Sequence, residues 1–567
     1  MSPRPFANKH ILLTLLVVDI VCVSQQQPPA PEPTLQAATS RLQAGDPAGA
    51  AKILEELVKR EPNNGRAWRN LGQAELKLKD LDRSADAFHR ALEIDRDVPT
   101  PMLQLAVISA LKQDKEAALD WLLKAKASRK VDMTEMEVMP ELDSLKRDTR
   151  YSALLPTRRD FDDPFVEPVT ILGEWDGEAA NDQFGWIARN IGDVDGDGIP
   201  DFVTSAPTSK AAGPDAGRIY VYSTKSGKLL WKADGHAGDQ LGTGLEAAGD
   251  TNGDKVPDVI ASAPGGGYVN IYSGRDGRIL RTLRAENVKD DFGRHVEGVG
   301  DVNRDGYADV FVGAPNNSAA GDQAGRAYVY SGKDGRILLQ LSGEKAGDNF
   351  GSAVAGFSDA QHTFLLVGAP GAGPKHTGRT YVYGGLSGVP IFTIESDETG
   401  SALGYMFLSV LGDVDGDGVP DVYASDWTNN AKGPSTGRVY IHSGKDGHRL
   451  FALTGETAGE GFGTSPSVAG DVEGDGHADF IVGAWQYSGA AVGGGRAYLY
   501  SGKDGHLIRT YTCRTPGDTF GFDAVTMGGV KEDGMSAFLI TSGWSGVHGH
   551  HSGRVFLISS GIKHGSH

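Results

Sequence analysis

The sequence predicts a mainly β protein, a seven-bladed β-propeller preceded by an N-terminal α-helical array, and three observations carry that expectation. A pair made of an aromatic or leucine followed by glycine recurs seven times, at intervals of 51 to 59 residues. Glycine, 78 of 567 residues and about twice its usual share, recurs at fixed places beside Tyr, Val and Ile, as expected of many tight turns between short strands. A strand-like segment stands alone ahead of the first repeat, and the last repeat ends one strand short.

Residues 1–24 have the pattern of an export signal. Arg4 and Lys9 supply positive charge, residues 11–23 an apolar core, and Cys22-Val23-Ser24 a cleavage point before Gln25. The core is short for a membrane span and holds Asp19, while Val21 is bulky where lipid attachment at Cys22 calls for a small residue. The expectation is an exported protein (secreted, periplasmic or at the cell surface) with no transmembrane segment in the mature chain. Two cysteines exclude a disulfide framework, and cleavage leaves Cys513 as the one thiol. A Gln/Pro-rich linker, residues 25–33, follows.

From residue 34 to 156 the chain is rich in Ala, Leu, Lys and Glu, with apolar residues at helical spacing. Trp68, Leu71, Gly72, Phe88 and Ala91 fit two antiparallel helices packed through small residues at their crossing. A shift of 34 residues places Ala50, Leu54, Leu57 and Pro62 in the unit before, and Leu105, Ala118, Leu122 and Ala125 in the unit after. The region resembles a tetratricopeptide array. Such arrays offer a groove to a second protein partner; bracing of the next domain is the other reading, and both stay open. Residues 157–168, with Asp160, Asp162, Asp163 and Pro164, form an acidic linker.

Residues 169–561 hold the larger repeat, and 562–567 are a tail. The units open at Phe184-Gly185, Leu241-Gly242, Phe292-Gly293, Phe350-Gly351, Leu403-Gly404, Phe462-Gly463 and Phe520-Gly521. A small-small-Pro triplet follows in the first four, Ser205-Ala206-Pro207 being the first. It drifts to Ala424-Ser425-Asp426, Gly483-Ala484-Trp485 and Ser542-Gly543-Trp544 in the last three. Next come an alternating strand such as residues 217–223, a turn of the SGKDG kind and one more strand. Each unit is thus four short strands with period-two buried faces. One such sheet cannot bury both faces, so units stack and the ring closes. Unit seven lacks a fourth strand and residues 169–177 stand unpartnered in front, so that segment is expected to complete the last sheet and remove the open edge. The pattern resembles the FG-GAP repeats of the integrin α-chain propeller.

Units one, two, three, five and six carry an acidic loop between their first two strands, spaced D-x-[DNE]-x-D-x-x-x-D. Oxygens at alternate positions converge when glycine lets the loop curl, which suits a hard cation taking about six to eight oxygen ligands, calcium better than magnesium. In the first loop the expected ligands are the carboxylates of Asp193, Asp195, Asp197 and Asp201 and the main-chain carbonyl of Ile199. The same offsets nominate Asp250, Asn252, Asp254, Val256 and Asp258 in the second loop, and Asp301, Asn303, Asp305, Tyr307 and Asp309 in the third. In units five and six they nominate Asp413, Asp415, Asp417, Val419 and Asp421, then Asp471, Glu473, Asp475, His477 and Asp479. Thr204, Ala261, Val312, Ala424 and Val482 stand where a helix-loop-helix site needs its twelfth-position carboxylate, so the loops are strand hairpins. Lys255 replaces a glycine in unit two. Units four and seven, with Asp359 alone and with Glu532 and Asp533 out of frame, are expected to hold no metal. The implied role of Ca²⁺ is structural: five ions would take the formal charge from -19 to -9 while making each hairpin rigid.

A net charge of -19 offers no basic surface to nucleic acid. In the family that the propeller resembles, partners use the face opposite the calcium hairpins. Here the loops of that face (208–216, 316–324, 371–377 and 429–436) carry few aromatic anchors. The matching loop of unit seven, GVHGHHSGR with His548, His550 and His551, reads as flexible and His-rich. No G-x-S-x-G elbow, H-E-x-x-H or thiol–His–acid set occurs, and the expected domains use up the chain. The sequence points to an exported, calcium-binding, non-catalytic interaction or adhesion protein whose propeller holds a protein or a cell-surface glycan. A periplasmic assembly scaffold and a calcium-dependent polysaccharide-active enzyme are the alternatives.

Overall fold

The computed structural model describes residues 34–563, apart from 97, 375, 399–401 and 531–533. The expected export signal and Gln/Pro linker lie outside the described residues, as do Glu532 and Asp533. The chain forms two compact units, one running through Arg96 with Pro101–Leu122 and Thr134–Ala153, the other comprising Asp97–Thr100, Leu123–Met133 and everything from Leu154.

In the first unit the helices are Leu35–Gln43, Pro47–Arg60, Gly65–Lys77, Leu81–Ile94 and Pro101–Leu111, followed by the first half of Lys115–Ser128. Aspartates at 34-residue intervals start every second helix. Asp46 accepts the N–H of Gly49 at 2.8 Å, Asp80 that of Arg83 at 3.1 Å and Asp114 that of Ala117 at 3.0 Å. Gly72 packs on Phe88, whose ring a Cβ at position 72 would meet at 2.8 Å, so this crossing requires the small residue. Ala50, Leu54, Leu57, Ala67, Leu71 and Ala87 form one buried cluster, and Phe88, Leu105 and Ile108 another.

The second unit is a ring of seven antiparallel four-stranded sheets. The first consists of Ala188–Gly192, Asp201–Ala206, Arg218–Tyr222 and Leu229–Asp234, paired in sequence order, and five more repeat that order. The seventh takes three strands from the end of the chain, Ala524–Gly528, Met535–Ser542 and Arg554–Lys563, and its fourth, Ile171–Asp176, from the front. Trp175 lies opposite Val555, and Asp176 opposite Arg554. The first strand of each sheet packs against those of its neighbours, and the series returns from Ala524–Gly528 to Ala188–Gly192. These strands therefore line the centre of a closed ring, a seven-bladed propeller.

Burial follows position in the blade. Second strands such as Asp201–Ala206, Asp258–Ala263 and Asp479–Ala484 are buried along their whole length, whereas outer strands expose Leu229, Ile279 and Ile337. Apolar layers form between blades: Val203 and Ile219 of the first meet Leu241, Leu245 and Val259 of the second. Phe184, Phe292, Phe350, Phe462 and Phe520 of the repeated pairs are at most 1% exposed. Gly217 explains the glycine ahead of the third strand. It has φ +76°, and a Cβ there would stand 2.3 Å from the main-chain N and O of Leu241, to which it bridges in the next blade. Among the described residues no helix is long and apolar enough to cross a membrane.

Candidate metal-binding loops

All five acidic loops join the first and second strands of their blades. In blade five, Asp413 accepts the N–H groups of Gly416 and Asp417 on Oδ1, at 2.7 and 2.9 Å, and that of Gly418 on Oδ2, at 2.9 Å. Asp415 accepts the Asp417 N–H at 3.1 Å. Blade one repeats this arrangement at Asp193, with Gly196 at 2.7 Å and Gly198 at 2.8 Å. Asp301 and Asp471 likewise accept from Gly306 at 2.7 Å and Gly476 at 2.8 Å. Burial works to raise the Asp193 carboxyl, but the N–H groups of Gly198, Gly196 and Asp197 outweigh it and hold it below the usual carboxylate range.

The fifth-position aspartates turn the chain toward the seventh residue. Asp197, Asp254, Asp305, Asp417 and Asp475 accept the N–H groups of Ile199, Val256, Tyr307, Val419 and His477 at 2.9–3.2 Å. The last aspartates, Asp201, Asp258, Asp309, Asp421 and Asp479, are wholly buried. One oxygen of each takes the N–H of the second loop residue (Val194, Thr251, Val302, Val414, Val472) at 2.8–3.0 Å. The other takes an N–H from the turn between strands three and four (Thr224, Gly274, Gly332, Gly444, Gly502) at 3.0–3.2 Å. Burial pushes Asp201, Asp309, Asp421 and Asp479 up to about 6 and raises Asp258, against the lowering effect of these donors.

Convergence differs among the loops. Carboxylate oxygens of Asp193, Asp195 and Asp197 lie within 4.8 Å of one another, as do those of Asp413, Asp415 and Asp421. Among the described residues the loops of blades two, three and six do not gather three carboxylates so closely. In blade three Asn303 takes the second ligand position, and both polar atoms of its amide are buried without a hydrogen-bond partner. A buried amide of this kind calls for a water or an ion beside it. In blade two Asn252 instead donates to both oxygens of Asp258, at 3.1 and 3.2 Å, and Thr251 adds its hydroxyl at 2.6 Å. In blade six the Glu473 carboxylate lies 3.6 Å from His506 Nε2, and the His477 ring reaches the main-chain oxygen of Val414 in the loop before it, at 2.9 Å. The loops of blades one, three and five thus fit a hard divalent cation, and that of blade two, satisfied by its own amide and hydroxyl, fits it least.

Sequence reasoning passed over an aromatic cluster at the opposite ends of the strands. Trp485 and Trp544 have ring centres 4.7 Å apart, Trp186 and Phe522 4.8 Å, and Phe522 and Trp485 5.6 Å. Trp427 and Phe407 extend it. The signal was present: the triplets that drift from small-small-Pro end at or next to Trp427, Trp485 and Trp544. The His-rich loop of blade seven also differs from the sequence expectation of a flexible segment. His550 is buried with Nδ1 3.0 Å from Asn181 Oδ1, and His551 stacks between His550 and Trp544. Burial pushes the His551 ring down to about 3.

Family models match the chain in pieces: tetratricopeptide repeat over residues 35–99, FG-GAP repeat over 184–222 and 293–330, and FG-GAP-like repeat over 413–482. Among curated proteins the chain is similar to integrin alpha-5 of Xenopus laevis, 30% identical over 219 residues, covering 35% of this chain and 21% of that protein. Integrin alpha-V of Gallus gallus is 30% identical over 225 residues, 36% of this chain and 22% of that protein. Phosphatidylinositol-glycan-specific phospholipase D of Bos taurus is 40% identical over 144 residues, 22% of this chain and 17% of that protein. The chain therefore spans 17–22% of the length of these relatives. The chain thus carries FG-GAP repeats in a seven-bladed propeller similar to that of integrin α chains, with tetratricopeptide-like helices earlier in the sequence.

Proposed function

We propose that the protein is exported, binds calcium through its acidic hairpins, and uses its propeller as a non-catalytic module that holds a protein or a cell-surface glycan. The observation that carries this reading is the pair of converging carboxylate sets in blades one and five, joined by the orphaned Asn303 amide in blade three. Asp193, Asp195, Asp197 and Asp201 with the Ile199 carbonyl would hold one ion, and the matching positions of the other four loops the rest. The ion would supply positive charge to oxygens that in blades one and five accept main-chain N–H groups, and so make each hairpin rigid. Export is supported by the N-terminal pattern of charge and apolar residues. Similarity to integrin alpha chains and the absence of a nucleophile motif support a binding role over catalysis. Trp186 and Trp544, half-buried against the buried Phe522 and Trp485, place aromatic rings at the strand ends opposite the acidic loops, where a partner face would be.

Calcium titration of the full chain, with thermal unfolding followed, tests the reading. The expected result is a large stabilisation that saturates near five ions per chain, with affinities of about 10⁻⁴–10⁻³ M as in extracellular modules. Identical unfolding in calcium and in chelator, with no ion bound, would sink it.

A further inference from the structure

Each acidic loop has a basic neighbour from another turn. The turn that donates an N–H to the loop's last aspartate carries a lysine or arginine as its very next residue: Lys225, Arg275, Lys333, Lys445 and Lys503. Lys225 Nζ donates to the main-chain oxygen of Asp197 at 2.7 Å. Arg275 Nε lies 3.8 Å from the Asp254 carboxylate, Lys445 Nζ 3.6 Å from Asp417, and Lys503 Nζ 3.7 Å from Asp475. In these four blades the residue addressed is always the fifth of the loop. In blade three Lys333 sits 4.7 Å from the ring centre of Tyr307, two residues further on.

Blades without an acidic loop have no such base. Leu386 occupies the place in blade four and packs on the apolar cluster with Val367 and Tyr383, while Gly561 occupies it in blade seven. General charge balance on an acidic surface gives no reason for this restriction. Nor are the pairs built for strength: the side chains of Arg275, Lys445 and Lys503 are 57–60% exposed, and exposed pairs add little stability. A long, solvated arm on a fixed turn can instead leave and return.

We propose that four of these side chains, Lys225, Arg275, Lys445 and Lys503, are tethered counter-ions, which cover the fifth-position oxygen while a loop lacks its cation and release it when the cation enters. They thereby set the affinity and the ionic-strength dependence of each loop. The proposal rests on the calcium reading above. A divalent ion and the tethered base compete for one patch of negative charge, so removing the base favours the ion and disfavours the ion-free loop.

The test uses the full chain carrying Lys445→Met or Lys503→Met, with Lys289→Met as a variant that loses the same charge away from the loops. Calcium binding is measured by calorimetry at low and high sodium chloride, and unfolding temperature in chelator. The expected result is roughly two- to fivefold tighter binding at one loop in each of the first two variants, with a steeper salt dependence because the site is more negative by one charge. Their unfolding temperature in chelator should fall. Unchanged affinity, or an equal gain in Lys289→Met, overturns the proposal while leaving the calcium reading intact. A wild-type chain that binds no calcium overturns both.

Discussion

Arg554 donates through Nε and Nη2 to one carboxylate oxygen of Glu174, at 2.9 and 2.6 Å, across 380 residues of chain. In blade one the matching arginine, Arg218, bonds Asp234 at 3.1 Å on an outer strand only 16 residues later. In blade seven the partner comes from the front of the chain, because Ile171–Asp176 is the outer strand there. Arg554 is wholly buried, donates also to the main-chain oxygen of Phe161 at 3.0 Å, and lies 4.4 Å from the Phe556 ring centre. One side chain thus joins the closing strand, the segment before it and the last blade.

Arg554→Met should destabilise the ring by about 3–5 kcal/mol, because it strands the carboxylates of Glu174 and of the wholly buried Asp518, which lies 3.8 Å from Arg554 Nη1. Arg218→Met, whose partner Asp234 is 35% exposed, should cost clearly less. Denaturant unfolding of both variants checks this; equal losses would mean that the closure contact has no special weight.

Asp518 supplies a pH dependence. Burial pushes its carboxyl up to about 6, with Arg554 working against the rise. The folded chain therefore keeps a proton between about pH 4 and 6 that the unfolded chain has released, and stability from this group is lost as pH rises through that window, about 3 kcal/mol in full. Asp518→Asn should gain on the wild type between pH 4 and 7 in chelator. A pH-independent difference between the two would contradict the assignment.

Within one loop the carboxylates should separate by role. Asp415 accepts one N–H, from Asp417 at 3.1 Å, whereas Asp421 accepts from Val414 at 2.8 Å and from Gly444 at 3.0 Å while wholly buried. Asp415→Ala should remove one calcium per chain yet leave stability in chelator within about 0.5 kcal/mol. Asp421→Ala should lose the ion and a further ~1–3 kcal/mol in chelator, from N–H donors left unmade. Ion counting beside unfolding in chelator separates the two outcomes.

Gly332 ties the turn to the loop in blade three. A Cβ there would lie 1.9 Å from the main-chain oxygen of Ala308, and the Gly332 N–H holds Asp309 at 3.1 Å. Gly332→Ala should cost ~1–3 kcal/mol and weaken calcium binding in that blade alone. An unaffected blade-three site, measured by calorimetry, would show that the turn does not position the loop.

The propeller was legible because its pattern is local and repeated. Phe350-Gly351 and its six counterparts mark each blade's start, and period-two strands such as Arg326–Tyr330 follow at fixed distance. The acidic loops were legible for the same reason, since nine consecutive residues carry the whole spacing. What the spacing could not convey is the difference between Asn303, whose amide is unpartnered, and Asn252, which donates to Asp258. Both read as the same ligand type. The Trp485–Trp544 contact was illegible because each tryptophan looked like decay of a proline motif in its own repeat.

By itself the sequence determined the number of blades, the hairpins that carry acidic loops, and the 34-residue helical period, because each depends on residues within one turn or one strand pair. Only the tertiary structure decided that Glu174 meets Arg554, that three drifted triplets and Phe522 form one aromatic cluster, and that lysines of one turn stand over the aspartates of another. Those contacts arise from ring closure and blade twist, which bring together groups that no local pattern of apolar and polar residues links.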